Sequence, residues 1–120
     1  MRALVRGDRP LFNSRSPLKQ SRIRRLDGWC DAPGAPTYNR PVRLPHPHGA
    51  ERMWREDALY DAVVVLDYNV SMRVRGRGSA IFLHVAKPGY PPTEGCIAVS
   101  PRDMRRLLPL LRRGRPIVIA

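Results

Sequence analysis

Two side chains in this sequence have the types and the spacing for nucleophilic chemistry. His84 and Cys96 lie twelve positions apart in H-V-A-K-P-G-Y-P-P-T-E-G-C. A thiol attacks well only as thiolate, and a neighbouring imidazole promotes that state by taking the proton. The Pro- and Gly-rich segment between them can fold the chain back and bring the two together. Gly95 removes a side chain next to the thiol and frees the local dihedrals. A backbone N–H near Cys96 could then donate to a developing oxyanion. From spacing alone, the alternative is a buried free Cys beside an unrelated histidine at a strand end.

These residues need elements to hold them. Asp61 to Tyr68 (D-A-V-V-V-L-D-Y) is β-branched and apolar, the pattern of a strand covered on both faces. Asn69 to Gly78 is polar and Gly-rich and reads as a loop with room for a short strand. Ser79 to Val85 (S-A-I-F-L-H-V) is a second buried strand that carries His84 near its end. Cys96 to Val99 is a third extended piece after the Pro/Gly loop. A helix over about 101–113 follows. Ser100 is its N-cap, Pro101 its first residue and Asp103 its first-turn acid. Met104, Leu107, Leu108 and Leu111 form one apolar stripe on it. Arg112 and Arg113 suit the C-terminal dipole and Gly114 the stop, while Pro109 must kink or shorten the helix. Pro116 to Ala120 (P-I-V-I-A) is expected to return as a last strand.

The first half is less patterned. Residues 1–25 hold eight basic residues and one acid with no sustained period, and are expected to form a basic, loosely ordered arm. Residues 26–50 carry Pro33, Pro36, Pro41, Pro45 and Pro47, which favour turns and extended segments. Within them Tyr38 to Leu44 fits a short edge strand.

The sequence around His84 and Cys96 resembles a known family. I-F-L-H, then P-P-T-E-G-C-I-A-V, a short helix and I-V-I look like the catalytic half of YkuD-type L,D-transpeptidases, whose signature is a His, a loop, then Ser/Thr-x-Gly-Cys. His84, Thr93, Gly95 and Cys96 are the matching positions. The blocks G-W-C-D, Y-N-R-P-V and W-R-E-D-A-L-Y-D are similar to members of a small bacterial branch.

The resemblance covers roughly residues 26–120. It implies a mainly β fold, a mixed-sheet sandwich or barrel with one C-terminal helix before the last strand. Family members have further strands ahead of the region matching Gly28, so N-terminal strands are expected to be missing. The implied activity is acyl transfer through a thioester on peptidoglycan stem peptides, for cell-wall cross-linking, remodelling and cell shape. Cys96 would be the nucleophile, His84 the proton acceptor and donor, and Thr93 and Gly95 would shape the loop. No cofactor or metal is implied, and no substrate-binding residues can be assigned. Many members carry Arg or Asn two positions after the Cys, where this chain has Ala98. The implied location is the cell envelope or periplasm, although residues 1–8 lack the apolar core of a signal peptide.

Composition sets bounds on other readings. The 120 residues are the length of one domain, and 42% apolar residues can supply a small core. The longest apolar run, Ala62 to Leu66, is far short of the roughly 20 residues of a membrane span. Thirteen Pro and nine Gly stay below the roughly 25–30% that marks low-complexity chains. The net charge of +12 divides evenly between the two halves, so it acts as a general field for anions. An Arg-rich arm with Trp29, Tyr38 and Trp54 could bind nucleic acid, but no recognisable nucleic-acid module accompanies it. A second alternative is a weak or inactive remnant that binds wall material.

His46, His48 and Cys30 are possible metal ligands, but their spacing matches no structural-zinc pattern and the flanking prolines fit a plain loop. Cys30 is expected to be structural, and Trp54 and Tyr60 to pack in the core or at its rim. Arg73, Arg75 and Arg77 fit a solvated hairpin face or, in the alternative, a contact to stem-peptide carboxylates. Oligomeric state is not readable.

Overall fold

The structure is a computed structural model that describes residues 1–9, 15–67, 79–93 and 95–118. Eight strands come first: β1 (Arg2–Val5), β2 (Gln20–Arg22), β3 (Asp27–Cys30), β4 (Pro41–Arg43), β5 (Ala50–Arg52), β6 (Ala62–Val65), β7 (Phe82–Val85) and β8 (Ile97–Val99). The helix α1 (Pro101–Leu107) runs into a 3-10 turn at Leu108–Leu110. A five-stranded mixed sheet has the order β2-β1-β6-β7-β8, and a three-stranded antiparallel sheet has the order β4-β3-β5. The mainly β architecture with one C-terminal helix is the one the resemblance implied.

Strand alternation sorts the core into two layers on either side of the large sheet. Ala3, Val5, Ala62, Val64, Leu83 and Val85 point to one face, where Met104, Leu108 and Leu111 cover them. Val63, Val65 and Phe82 point to the other, against Trp29, Met53 and Tyr60 of the small sheet and its connections. Successive side chains of a strand face opposite ways, so a central strand covered on both sides must be apolar throughout. All four residues of β6 and of β7 are buried, which is why these strands were legible as continuous apolar runs.

The stretch expected to be a loosely ordered arm is instead structural over residues 2–5 and 20–22. β1 lies between β2 and β6, antiparallel to β6 with Ala3 opposite Val64 and parallel to β2. Its buried residues are the alternate pair Ala3 and Val5, a period too short to stand out among arginines. The arm therefore belongs to the same sheet as the site-bearing strands, and the expected boundary at residue 26 does not separate it from them.

The helix begins as expected, with Ser100 Oγ accepting from the Asp103 N–H at 3.1 Å. It is shorter than 101–113. Pro109 has no N–H to continue the ladder, and the chain tightens into the 3-10 turn, after which Leu111 is extended. The edge strand expected within residues 38–44 is β4. The last strand expected over 116–120 is not formed at Pro116–Val118, which are exposed, and residues 119–120 lie outside the described residues. The loop at 69–78, with Arg73, Arg75 and Arg77, also lies outside them. Among the described residues no helix is long and apolar enough to cross a membrane.

Candidate active site

β7 and β8 run parallel, with Leu83 beside Ile97, His84 beside Ala98 and Val85 beside Val99. Cys96 immediately precedes β8, and its Sγ lies 3.5 Å from the Phe82 N–H that donates to it. The parallel register thus puts the thiol next to the strand that carries His84. Both side chains line one cavity of about 700 Å³, on the small-sheet side, together with Thr93, Tyr60 and Glu51. Ala98, the neighbour of His84 across the strand pair, lines it too.

His84 is 5% exposed, and its Nδ1 is 2.8 Å from the Val85 carbonyl oxygen. A carbonyl can only accept, so this bond places a proton on Nδ1, and in the neutral ring the lone pair is then on Nε2. The Tyr60 ring packs edge-on against the imidazole at 5.6 Å and holds its plane from the other side. Tyr60 in turn donates its hydroxyl to Glu51 and packs edge-on against Phe82. Burial, then the bond to Glu51, hold the Tyr60 phenol far above its ordinary range, so it remains a neutral donor.

The thiol is in its neutral, parked form. Cys96 Sγ donates to the Ala80 carbonyl at 3.2 Å. Burial pushes its pKa above the ordinary cysteine value; the Phe82 N–H lowers it in part, and the Glu51 carboxylate raises it further. Becoming a nucleophile therefore requires the thiol to leave the Ala80 carbonyl and give up its proton. A neutral imidazole with a free Nε2 lone pair is the group in the cavity suited to take it.

Thr93 and Gly95 sit in the turn that delivers Cys96. The Thr93 hydroxyl donates to the Cys96 carbonyl at 2.5 Å. Gly95 has φ +97, a left-handed conformation that L side chains rarely adopt, and an added Cβ would lie 3.4 Å from Ile81 Cδ1. Lys87 and Arg55 bring positive charge to the cavity rim, Arg55 being paired with Asp57 at 2.6 Å.

The other sequence candidates go elsewhere. Cys30 is fully buried in β3 and both cysteines are free. His46 contacts Thr37 Oγ1 at 3.0 Å and packs edge-on against His48, and among the described residues no group of three or more His, Cys, Asp or Glu side chains is placed to hold a metal ion. Trp29 is buried against Phe82, with ring centroids 5.3 Å apart. Trp54 packs under the guanidinium of Arg6, 3.4 Å from the ring centroid. Tyr60 combines both readings, as a buried side chain that also lines the cavity.

Glu51, Asn39 and Arg6 escaped sequence reasoning. Glu51 lies on a three-residue strand with no pattern of its own, and Arg6 is 4% exposed although arginine in a basic stretch reads as surface.

Comparison with curated proteins and with solved structures found no match. A family model for the L,D-transpeptidase catalytic domain, YkuD, matches residues 6–119. That span takes in the strands from β2 to β8, the helix, the cavity and the positions His84, Thr93, Gly95 and Cys96, so the chain belongs to the YkuD family of L,D-transpeptidase catalytic domains.

Proposed function

We propose that this protein transfers acyl groups of peptidoglycan stem peptides through a thioester on Cys96. The observation that carries the reading is that the His84 imidazole, tied at Nδ1 to the Val85 carbonyl, and the Cys96 thiol line one cavity. His84 Nε2 takes the thiol proton as Cys96 Sγ bonds to the carbonyl carbon of the amide that joins a diamino acid to a terminal D-Ala. The tetrahedral centre collapses, the C–N bond breaks, and His84 returns the proton to the departing amine. The amine of a second stem peptide then attacks the thioester and frees the thiol, giving a cross-link, or water does so, giving hydrolysis. The substrate assigns the protein to the cell envelope. Thr93 and Gly95 hold the turn on which the thiol is carried, and no cofactor is needed for any of these steps.

Intact-mass measurement after incubation with a stem tetrapeptide tests the proposal. The expected product is an adduct on Cys96 with the mass of the donor acyl group. Folded protein that never acquires it would refute the acyl-transfer reading and favour a wall-binding remnant. Cys96→Ser is expected to keep the fold and lose turnover by at least about 10³-fold; unchanged turnover would make Cys96 a bystander.

A further inference from the structure

Asn39 is 1% exposed, and its side-chain oxygen receives two N–H donors. One is Trp29 Nε1 at 2.9 Å; the other is the Ala80 amide at 3.1 Å. Asn39 itself has φ 55, the left-handed region that asparagine tolerates better than other residues with a Cβ. Its own N–H donates to the Cys30 carbonyl at 2.8 Å, which ties it to β3. The position thus demands both a left-handed backbone and a short side chain ending in an acceptor.

Ala80 is the second unusual residue. It has φ 53, the left-handed region in which a Cβ is strained. Such conformations persist where the surroundings over-determine them, and they cluster at functional sites. Here the determinants are at the two ends of one residue. The Ala80 N–H is held by Asn39, and the Ala80 carbonyl accepts from Cys96 Sγ. The backbone dihedrals of Ala80 set the angle between these two bonds, so a buried side chain in the turn between β3 and β4 fixes the acceptor that parks the thiol.

We propose that Asn39 is a positioning residue for Cys96, acting through the Ala80 backbone to set where the thiol sits before it reacts. The catalytic consequence rests on the acyl-transfer reading; the positioning itself is a property of the thiol and is measurable without any wall substrate.

Alkylation of Cys96 by iodoacetamide, followed against pH by peptide mass mapping, is the test. Asn39→Gly keeps the left-handed backbone unstrained and removes the oxygen. It is expected to lower the alkylation midpoint by about half a pH unit or more, because a thiol that loses its acceptor releases its proton more readily. Acyl-enzyme formation should fall by about tenfold or more as the sulfur leaves its place. Trp29→Phe removes the other donor while sparing the Asn39–Ala80 bond. It should weaken the fold yet leave both readouts at wild type. Asn39→Asp keeps an acceptor oxygen and should retain acylation close to wild type.

An Asn39→Gly profile superimposed on wild type would overturn the proposal, as would a Trp29→Phe shift of equal size or an Asn39→Asp loss equal to that of Asn39→Gly. If Asn39→Gly does not fold, amide exchange in the wild-type protein decides. An Ala80 amide protected as strongly as those of β7 supports the assignment, and exchange at an open-loop rate overturns it. Wild-type protein that takes no acyl group, with an Asn39→Gly profile still shifted, would remove the proposed function and leave the positioning role standing.

Discussion

Arg6→Ala is expected to destabilise the protein by roughly 3 kcal/mol, a large effect for an arginine in a basic stretch of sequence. The guanidinium is 4% exposed and has three kinds of partner. Its Nη1 donates to the Arg55 carbonyl at 2.6 Å, a charge-assisted bond worth about 1.5–3 kcal/mol. It lies over the Trp54 ring at 3.4 Å, which adds about 1–2 kcal/mol in a partly desolvated position. Nε and Nη2 grip the Asp8 carboxylate in a two-point pair, both bonds at 2.9 Å. Asp8 is 52% exposed, so solvent screens that pair and it adds little. These contributions share one side chain and do not add fully, which sets the total near 3 kcal/mol.

Urea denaturation reads this as a midpoint about 1–2 M lower. Asp8→Ala should cost far less than Arg6→Ala, and most of the Arg6→Ala loss should survive in about 1 M salt. Arg6→Lys should rescue little, since a point charge cannot make both the fork and the stack. An Asp8→Ala loss equal to that of Arg6→Ala, or a lysine variant as stable as wild type, would refute the reasoning. The site gives a second readout. Arg6 also donates its backbone N–H to the Asp61 carbonyl at 3.0 Å, and so pins the segment that presents Arg55 and Tyr60 to the cavity. Acyl-enzyme formation should therefore decline in Arg6→Ala even where the variant remains folded.

Three further outcomes follow from packing and charge. Met104→Ala removes a fully buried side chain between α1 and the sheet and should cost about 2–5 kcal/mol in urea titrations, whereas Arg105→Ala on the exposed face of the same helix should stay within about 0.5 kcal/mol. Asp57 is held below the ordinary carboxylate range, first by its hydrogen bonds with Arg55. A lowered folded pKa gives stability that is present above the unfolded value, near pH 4, and is lost as pH falls through the folded one. Denaturation followed from pH 5 downward should show that loss, and Asp57→Asn should flatten it. Asp61 has the opposite sign, because burial raises its pKa and penalises the anion. Asp61→Asn is accordingly expected to gain stability at neutral pH relative to acid.

The legible parts of this protein are those whose causes are local. β6 and β7 announced themselves because central strands buried on both faces are apolar at every position. The helix start was readable because Ser100, Pro101 and Asp103 act within one turn; Pro109 signalled a kink or a shortening, but the expected bounds still ran to 113. β1 was missed because four residues with alternating burial carry little signal, and its pairing partner lies about sixty residues away. The small sheet was missed apart from β4, since strands of three or four residues containing Asp, Gly, Glu and Arg are defined by whom they pair with.

By itself the sequence singled out His84 and Cys96 as candidates for chemistry, with Thr93 and Gly95 beside them, and the strands and helix start between Ala62 and Leu107. Those depend on residue type, spacing and short-range backbone preference, all of which are written along the chain. Tertiary structure alone decided the state of the pair. The imidazole tautomer follows from the Val85 carbonyl, the parked thiol from Ala80, and Ala80 is held in turn by Asn39, 41 positions earlier. Burial, which pushes the Cys96 thiol up, comes from layers assembled out of both halves of the chain. Solvent exclusion and long-range hydrogen bonds exist only once distant segments meet, so the sequence could name candidate side chains while the fold decided how their protons are held.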